Sequence, residues 1–242
     1  SIRRVITHDH QTNSKLPACV IGLNGFTLIL AAEEVSSIAR GGQLYDKWYK
    51  VIGASAPDST HPAWPASNTK KKGSATHRCK SCHGWDLMGK DGAYASGSYK
   101  TGIGGLKHMQ GAANEKVIAA MKDSTHGYAG KMADQDFTDL ANFVTRGQFD
   151  IDAVIDRQSK KAMGGDKNKG EAYYNTVCAG CHGKDGKEPD GMPALGPLSN
   201  KNPWEVIQKI MNGQPDKEMP AMRAFGVQVA TDILSYAQTL PE

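Results

Sequence analysis

Beyond residue 41, apolar positions recur at intervals of three and four, in blocks that come as two series. Val117, Ile118 and Met121 fall on one helical face, and so do Val206, Ile207, Ile210 and Met211. Phe137, Leu140, Ala141 and Val144 make a further face, echoed by Val229, Ile233, Tyr236, Ala237 and Leu240. Helix starts are predicted at Gly42 to Trp48 and at Gly170 to Tyr174. Asn202 stands where it can cap the second of the middle helices, Pro203 suits its first turn and Gly213 its end, while Gly147 closes the last helix of the first series. The pattern predicts an all-α chain containing an internal repeat: copy one over 41–150, a short linker over 151–164 closed by Gly164-Gly165, and copy two over 165–242.

Cysteine spacing gives the repeat its chemistry. Four of the five cysteines fall in two copies of one pentapeptide, Cys79-Lys80-Ser81-Cys82-His83 and Cys178-Ala179-Gly180-Cys181-His182. In C-x-x-C-H the two thiols can add across the vinyl groups of one haem, while the next residue on the same short helix brings an imidazole to the iron. Two such motifs predict two haem c groups, held by Cys79, Cys82, Cys178 and Cys181, with His83 and His182 as proximal ligands. A redox dithiol needs no histidine, and a four-thiolate zinc site would leave both histidines unexplained. Each motif is followed by Lys-Asp-Gly, at 90–92 and 184–186, which is turn chemistry.

The sixth position of each iron decides between carrier and catalyst. In copy two, Met219-Pro220 lies seventeen residues before Tyr236, and Met219 is the predicted distal ligand, with Met222 as its competitor. Aligning Phe143 with Tyr236 and counting back the same seventeen residues in copy one lands on His126. His126 is therefore the predicted distal ligand of the first haem; His108, Met109, Met132 and His61 are its rivals. Imidazole favours Fe(III) more than thioether does, so the first haem is expected at the lower potential.

Residues 1–40 read differently. Arg3, Arg4 and Lys15 precede an apolar run over 16–32, followed by Glu33, Glu34 and small residues. This is the layout of a secretory signal, retained or cleaved, and it points to a periplasmic or otherwise extracytoplasmic protein. Interrupted by Pro17, Gly22, Asn24 and Gly25, the run is at the lower limit for a membrane span, so membrane contact is expected only through 16–32. Cys19 is left over and reads as a small apolar residue. With 39% apolar and 22% charged residues the chain is neither disordered nor a multispan membrane protein. A net charge of +4 and 7% aromatics do not suggest nucleic acid.

The span 41–242 resembles two fused class I cytochrome c domains. Copy two carries the family's marks: Gly170 and Tyr174 on a first helix, Cys178 to His182, Pro193-Ala194-Leu195, Met219-Pro220 and a closing helix over 232–240. The resemblance implies that the carbonyl at Pro193 accepts from the proximal His182. Copy one departs from the pattern, with Gly104-Gly105-Leu106 in place of Pro-x-Leu, His126 in place of methionine, and an inserted loop over 53–75. The implied function is single-electron transfer between extracytoplasmic redox partners. A cytochrome subunit of a larger periplasmic oxidoreductase, such as a molybdenum enzyme of the nitrite oxidoreductase type, is the alternative. A dihaem enzyme similar to thiosulfate dehydrogenases or peroxidases is a third reading, although the thiosulfate family's distal cysteine has no counterpart between Cys82 and Cys178.

Overall fold

The computed structural model describes residues 23–242, with side chains from residue 31 onward, so Arg3, Arg4, Lys15, Cys19 and the start of the 16–32 run lie outside the described residues. Among the described residues the regular structure is helical, and the only extended pairings are two isolated bridges, Gly89 with Gly104 and Ile155 with Ala162. None of these helices is long and apolar enough to cross a membrane.

Helix α1 (Leu23–Val51) runs through the point where a new unit was expected to open. It packs from residue 37 onward, because Ile38 and Ala39 are buried, Ser37 donates to Asp139 (2.6 Å), and Arg40 donates to Asp139 (2.6 Å) and Asp136 (2.5 Å). The boundary between 40 and 41 therefore lies inside a helix. At Lys47 the backbone leaves helical geometry (φ −156°, ψ 73°) and α1 kinks.

Gly41 and Gly42 sit within α1, not at its start. A methyl at Gly41 would stand 2.0 Å from the Asp139 carbonyl oxygen on α4 (Asp134–Arg146), and one at Gly42 would stand 2.3 Å from the Asn212 side chain. Each glycine costs about 1 kcal/mol of helix propensity against alanine. In return α1 touches α4 on one side and the second half of the molecule on the other. The same device recurs at Gly170 on α5 (Lys167–Tyr173), where a methyl would lie 1.9 Å from the Asp232 carbonyl oxygen on α9 (Gly226–Ala237). Next to each crossing an aromatic pair closes the contact, Tyr45 with Phe143 at 5.2 Å and Tyr174 with Tyr236 at 5.4 Å.

Between these crossings come the short haem-motif helix α2 (Cys79–His83) and α3 (Asn114–Lys122) in the first half. Their counterparts are α6 (Ala179–His182), α7 (Leu195–Lys201) and α8 (Pro203–Asn212) in the second. Most of the expected positions are buried: Val117 and Met121 on α3, Phe137, Leu140, Ala141 and Val144 on α4, Val206, Ile207, Ile210 and Met211 on α8, and Ile233 and Ala237 on α9, with Leu240 just beyond it; Ile118, Val229 and Tyr236 are half-buried. Asn202 precedes α8 as expected, but its amide donates to Glu205 (2.7 Å) and makes no side-chain cap to the backbone.

The linker 151–164 is also more than a tether. Ile151 and Ile155 are buried in one cluster with Trp85 and Tyr94 from the first half and Trp204, Ile207 and Ile233 from the second. Buried Asp46 is gripped by Arg78 of the first half and Lys209 of the second. Arg223 donates to the Gly147 carbonyl (3.0 Å) and Gln43 to the Asn212 carbonyl (2.8 Å), so the two halves are joined by apolar packing and by hydrogen bonds.

Candidate haem-binding sites

The first motif helix is held from two directions. Tyr45 donates its hydroxyl to the Gly84 carbonyl (2.6 Å), directly after His83. In the second half Tyr174 does the same to the Gly183 carbonyl (2.8 Å), directly after His182. The first-helix tyrosine thus orients the motif helix in both halves through a backbone atom, a contact that no side-chain motif advertises. Behind His83, the Lys90 N–H donates to the Ile103 carbonyl (2.8 Å) and the Leu106 N–H to the Leu87 carbonyl (2.6 Å), pinning 103–106 beside 87–90. Gly105 permits this approach, since a methyl there would stand 2.4 Å from the Leu87 carbonyl oxygen. The result is that His83 Nδ1 donates to the Gly104 carbonyl (2.8 Å). A carbonyl comes with any residue, so losing the family's proline does not lose the acceptor.

With Nδ1 committed as donor, the lone pair of His83 is on Nε2, the tautomer a metal needs. Burial lowers the pKa of His83 below the usual imidazole value, which favours that neutral form, while the bond to Gly104 works the other way. The ring of His126 faces it with centroids 6.4 Å apart and planes inclined by 23°. Two metal–imidazole bonds of about 2 Å each, plus about 1 Å from each nitrogen to its ring centre, span roughly 6 Å. The centroid separation matches the span of two imidazoles on one iron. His126 Nδ1 donates to Asp123 (3.1 Å), which leaves its Nε2 on the same footing as that of His83. Asp123 is held below the usual carboxylate range, chiefly by the His126 backbone N–H, and stays ionised.

Three of the four rivals of His126 are engaged elsewhere. Met109 is buried in the first core, Met132 packs against that core, and His108 is exposed. His61 accepts from the Ala63 N–H at Nδ1 (3.1 Å), so its Nε2 carries the proton and donates to the His126 carbonyl (3.0 Å). The inserted loop 53–75 is closed onto the same region: His77 donates to the Ser59 carbonyl (2.9 Å), the Thr76 hydroxyl accepts from the His61 N–H (2.9 Å), and the rings of His61 and His77 meet edge to face at 4.9 Å.

The four motif cysteines are unpaired thiols. Burial pushes Cys79 up to about 12 and Cys82 and Cys178 up to about 11.

The second site is assembled less completely. His182 Nδ1 is buried without a hydrogen-bond partner, so the bond expected at the Pro193 carbonyl is not made. The physical reason is that nothing pins that carbonyl. In the first half the Lys90 N–H holds the residue just before the acceptor, whereas Pro193 is flanked only by Met192 N–H to Pro189 (3.1 Å) and Leu195 N–H to Gly186 (2.9 Å). Met222 is buried in the shared apolar cluster and its N–H is tied to Ile210 (2.9 Å), whereas Met219 is half-buried and belongs to no apolar cluster. Among the described residues no hydrogen bond ties His182 to the Met219 segment.

Residues 165–236 match the family described as cytochrome c oxidase, cbb3-type, subunit III. No curated protein matches the chain. With its helical fold and C-x-x-C-H motif, the chain carries a c-type cytochrome domain, an electron-transfer unit that holds haem c covalently.

Proposed function

We propose that the chain is a dihaem cytochrome c: two class I cytochrome c units, 41–150 and 165–242, carry single electrons between extracytoplasmic redox partners. When bound, each haem supplies a one-electron Fe(III)/Fe(II) couple. Cys79 and Cys82 would hold the first haem and Cys178 and Cys181 the second; His83 and His126 would ligate the first iron, His182 and Met219 the second. Around them, Tyr45 and Tyr174 fix the motif helices and Gly104 orients His83. The His83–His126 ring pair carries this reading, because two imidazoles with centroids 6.4 Å apart and planes inclined by 23° would saturate the first iron and leave it no site for substrate. The first haem is then the low-potential one and the His/Met haem the higher.

The test is low-temperature EPR, near-infrared spectroscopy and redox titration of oxidised wild type and His126→Ala. Two low-spin haems are expected, with the bis-imidazole signature lost in the variant; a high-spin or thiolate-like signal in wild type would overturn the carrier reading in favour of an enzyme.

A second reading, a cytochrome subunit of a larger oxidoreductase, is favoured by the match to an oxidase subunit and by the exposed stretch 31–34 of α1. Size-exclusion chromatography of the native protein separates the two, since a permanent subunit elutes with its partner.

A further inference from the structure

The two imidazoles of the first site are backed by different acceptors. His83 Nδ1 donates to a neutral carbonyl, that of Gly104, whereas His126 Nδ1 donates to a carboxylate, that of Asp123. Asp123 ends α3, where its own N–H is tied to the Ala120 carbonyl (3.2 Å). Its Oδ1 also accepts from the backbone N–H of Thr125 (2.9 Å) and of His126 (2.8 Å), so the carboxylate is positioned independently of the ring. The turn is closed by the Gly127 N–H on the Asp123 carbonyl (2.8 Å) and is latched from outside by His61 on the His126 carbonyl.

We propose that Asp123 is the positioning and tuning residue of the first haem: it fixes the proton of His126 on Nδ1, aims Nε2 at the iron, and lowers that haem's potential by loading the imidazole with negative charge. This rests on His126 being the distal ligand. A carboxylate behind a ligating imidazole makes the ring a stronger donor than a carbonyl does, and a stronger donor favours Fe(III). The inserted loop contributes through His61, which holds the backbone of the same residue while Asp123 holds its ring. Asp123 is solvent-exposed, so screening limits the effect, and the readout must be a potential rather than stability.

The experiment uses the full, haem-loaded chain. Asp123→Asn keeps a side-chain acceptor for the two backbone N–H groups and removes the charge; Asp123→Glu restores the charge. The expected result is an upward shift of the low-potential midpoint in Asp123→Asn, with the high-potential midpoint unmoved and the bis-imidazole near-infrared band retained. A return toward the wild-type value is expected in Asp123→Glu. An unmoved low-potential midpoint with the band retained overturns the tuning role and leaves the ligand assignment standing. Loss of the low-spin signal in Asp123→Asn, regained in Asp123→Glu, supports the positioning role. A bis-imidazole band that survives His126→Ala overturns the ligand assignment, and the role of Asp123 with it.

Discussion

At Gly41 a single hydrogen separates two helix backbones, since a methyl there would meet the Asp139 carbonyl oxygen at 2.0 Å and Phe143 Cβ at 2.7 Å. Neither is the flexible end of a side chain, so the helices themselves must move. Gly41→Ala is expected to destabilise the protein by about 1–3 kcal/mol despite its gain in helix propensity, a loss that urea unfolding of the holoprotein would register. The residues here differ in how far the sequence announces them. That His126 lies opposite His83 is legible, because a helical register carries over from one copy to the other and counting seventeen residues back from an aromatic needs no coordinates. His61 and Gly104 are not. His61 reaches His126 from 65 positions away, and Gly104 acts through a carbonyl that every residue possesses. His182 shows the reverse case, where the family pattern names an acceptor at Pro193 and the backbone does not deliver it.

Elements are legible in proportion to their amphipathicity. The apolar faces of α3, α4, α8 and α9 stand out in sequence and are buried in the fold. On α8, Ile207 is fully buried at the centre of the cluster that both halves share. Ile207→Ala is expected to cost about 2–5 kcal/mol by leaving a cavity, measurable as a lowered midpoint of thermal unfolding. The start of α1 escaped the pattern for a physical reason: an apolar run followed by small residues has the profile of an export signal, and the same composition also makes a good helix. What marks residues 37–40 as part of the body is their bonding to Asp136 and Asp139, about a hundred positions downstream. The turn of π-helix over Tyr174–Cys178, just ahead of the second motif, likewise has no counterpart in the spacing of apolar residues.

For the molecule as a whole, two copies of one pattern joined by a short mixed segment suggest two independent bodies, and the structure joins them. Asp46 is the centre of that joint, with 2% of its side chain exposed and one cation from each half upon it. Asp46→Asn would strand the charges of Arg78 and Lys209, at an expected cost of about 3–5 kcal/mol. Burial alone would raise the Asp46 carboxyl, but Lys209 and Arg78 together hold it below its usual value. A carboxyl lowered in the folded state stabilises fully above its unfolded pKa of about 3.9, and that contribution is lost as pH falls through the folded value. The joint is therefore expected to hold through neutral pH and to loosen in acid below roughly pH 4, followed by the emission of Trp85 and Trp204 and by small-angle scattering. Asp46→Asn should abolish this acid step.

Arg78 directly precedes Cys79, and Lys209 lies on α8, whose core also receives Trp85 from just behind the first motif. One carboxylate thus anchors the mounting of one redox centre to the frame of the other. If both centres are loaded as proposed, this joint is expected to set the gap an electron crosses inside the molecule wherever Asp46 keeps its charge. Traffic is then throttled at the terminals, where partners arrive and leave, and internal transfer should follow a single exponential with no spread of rates and no dependence on solvent viscosity.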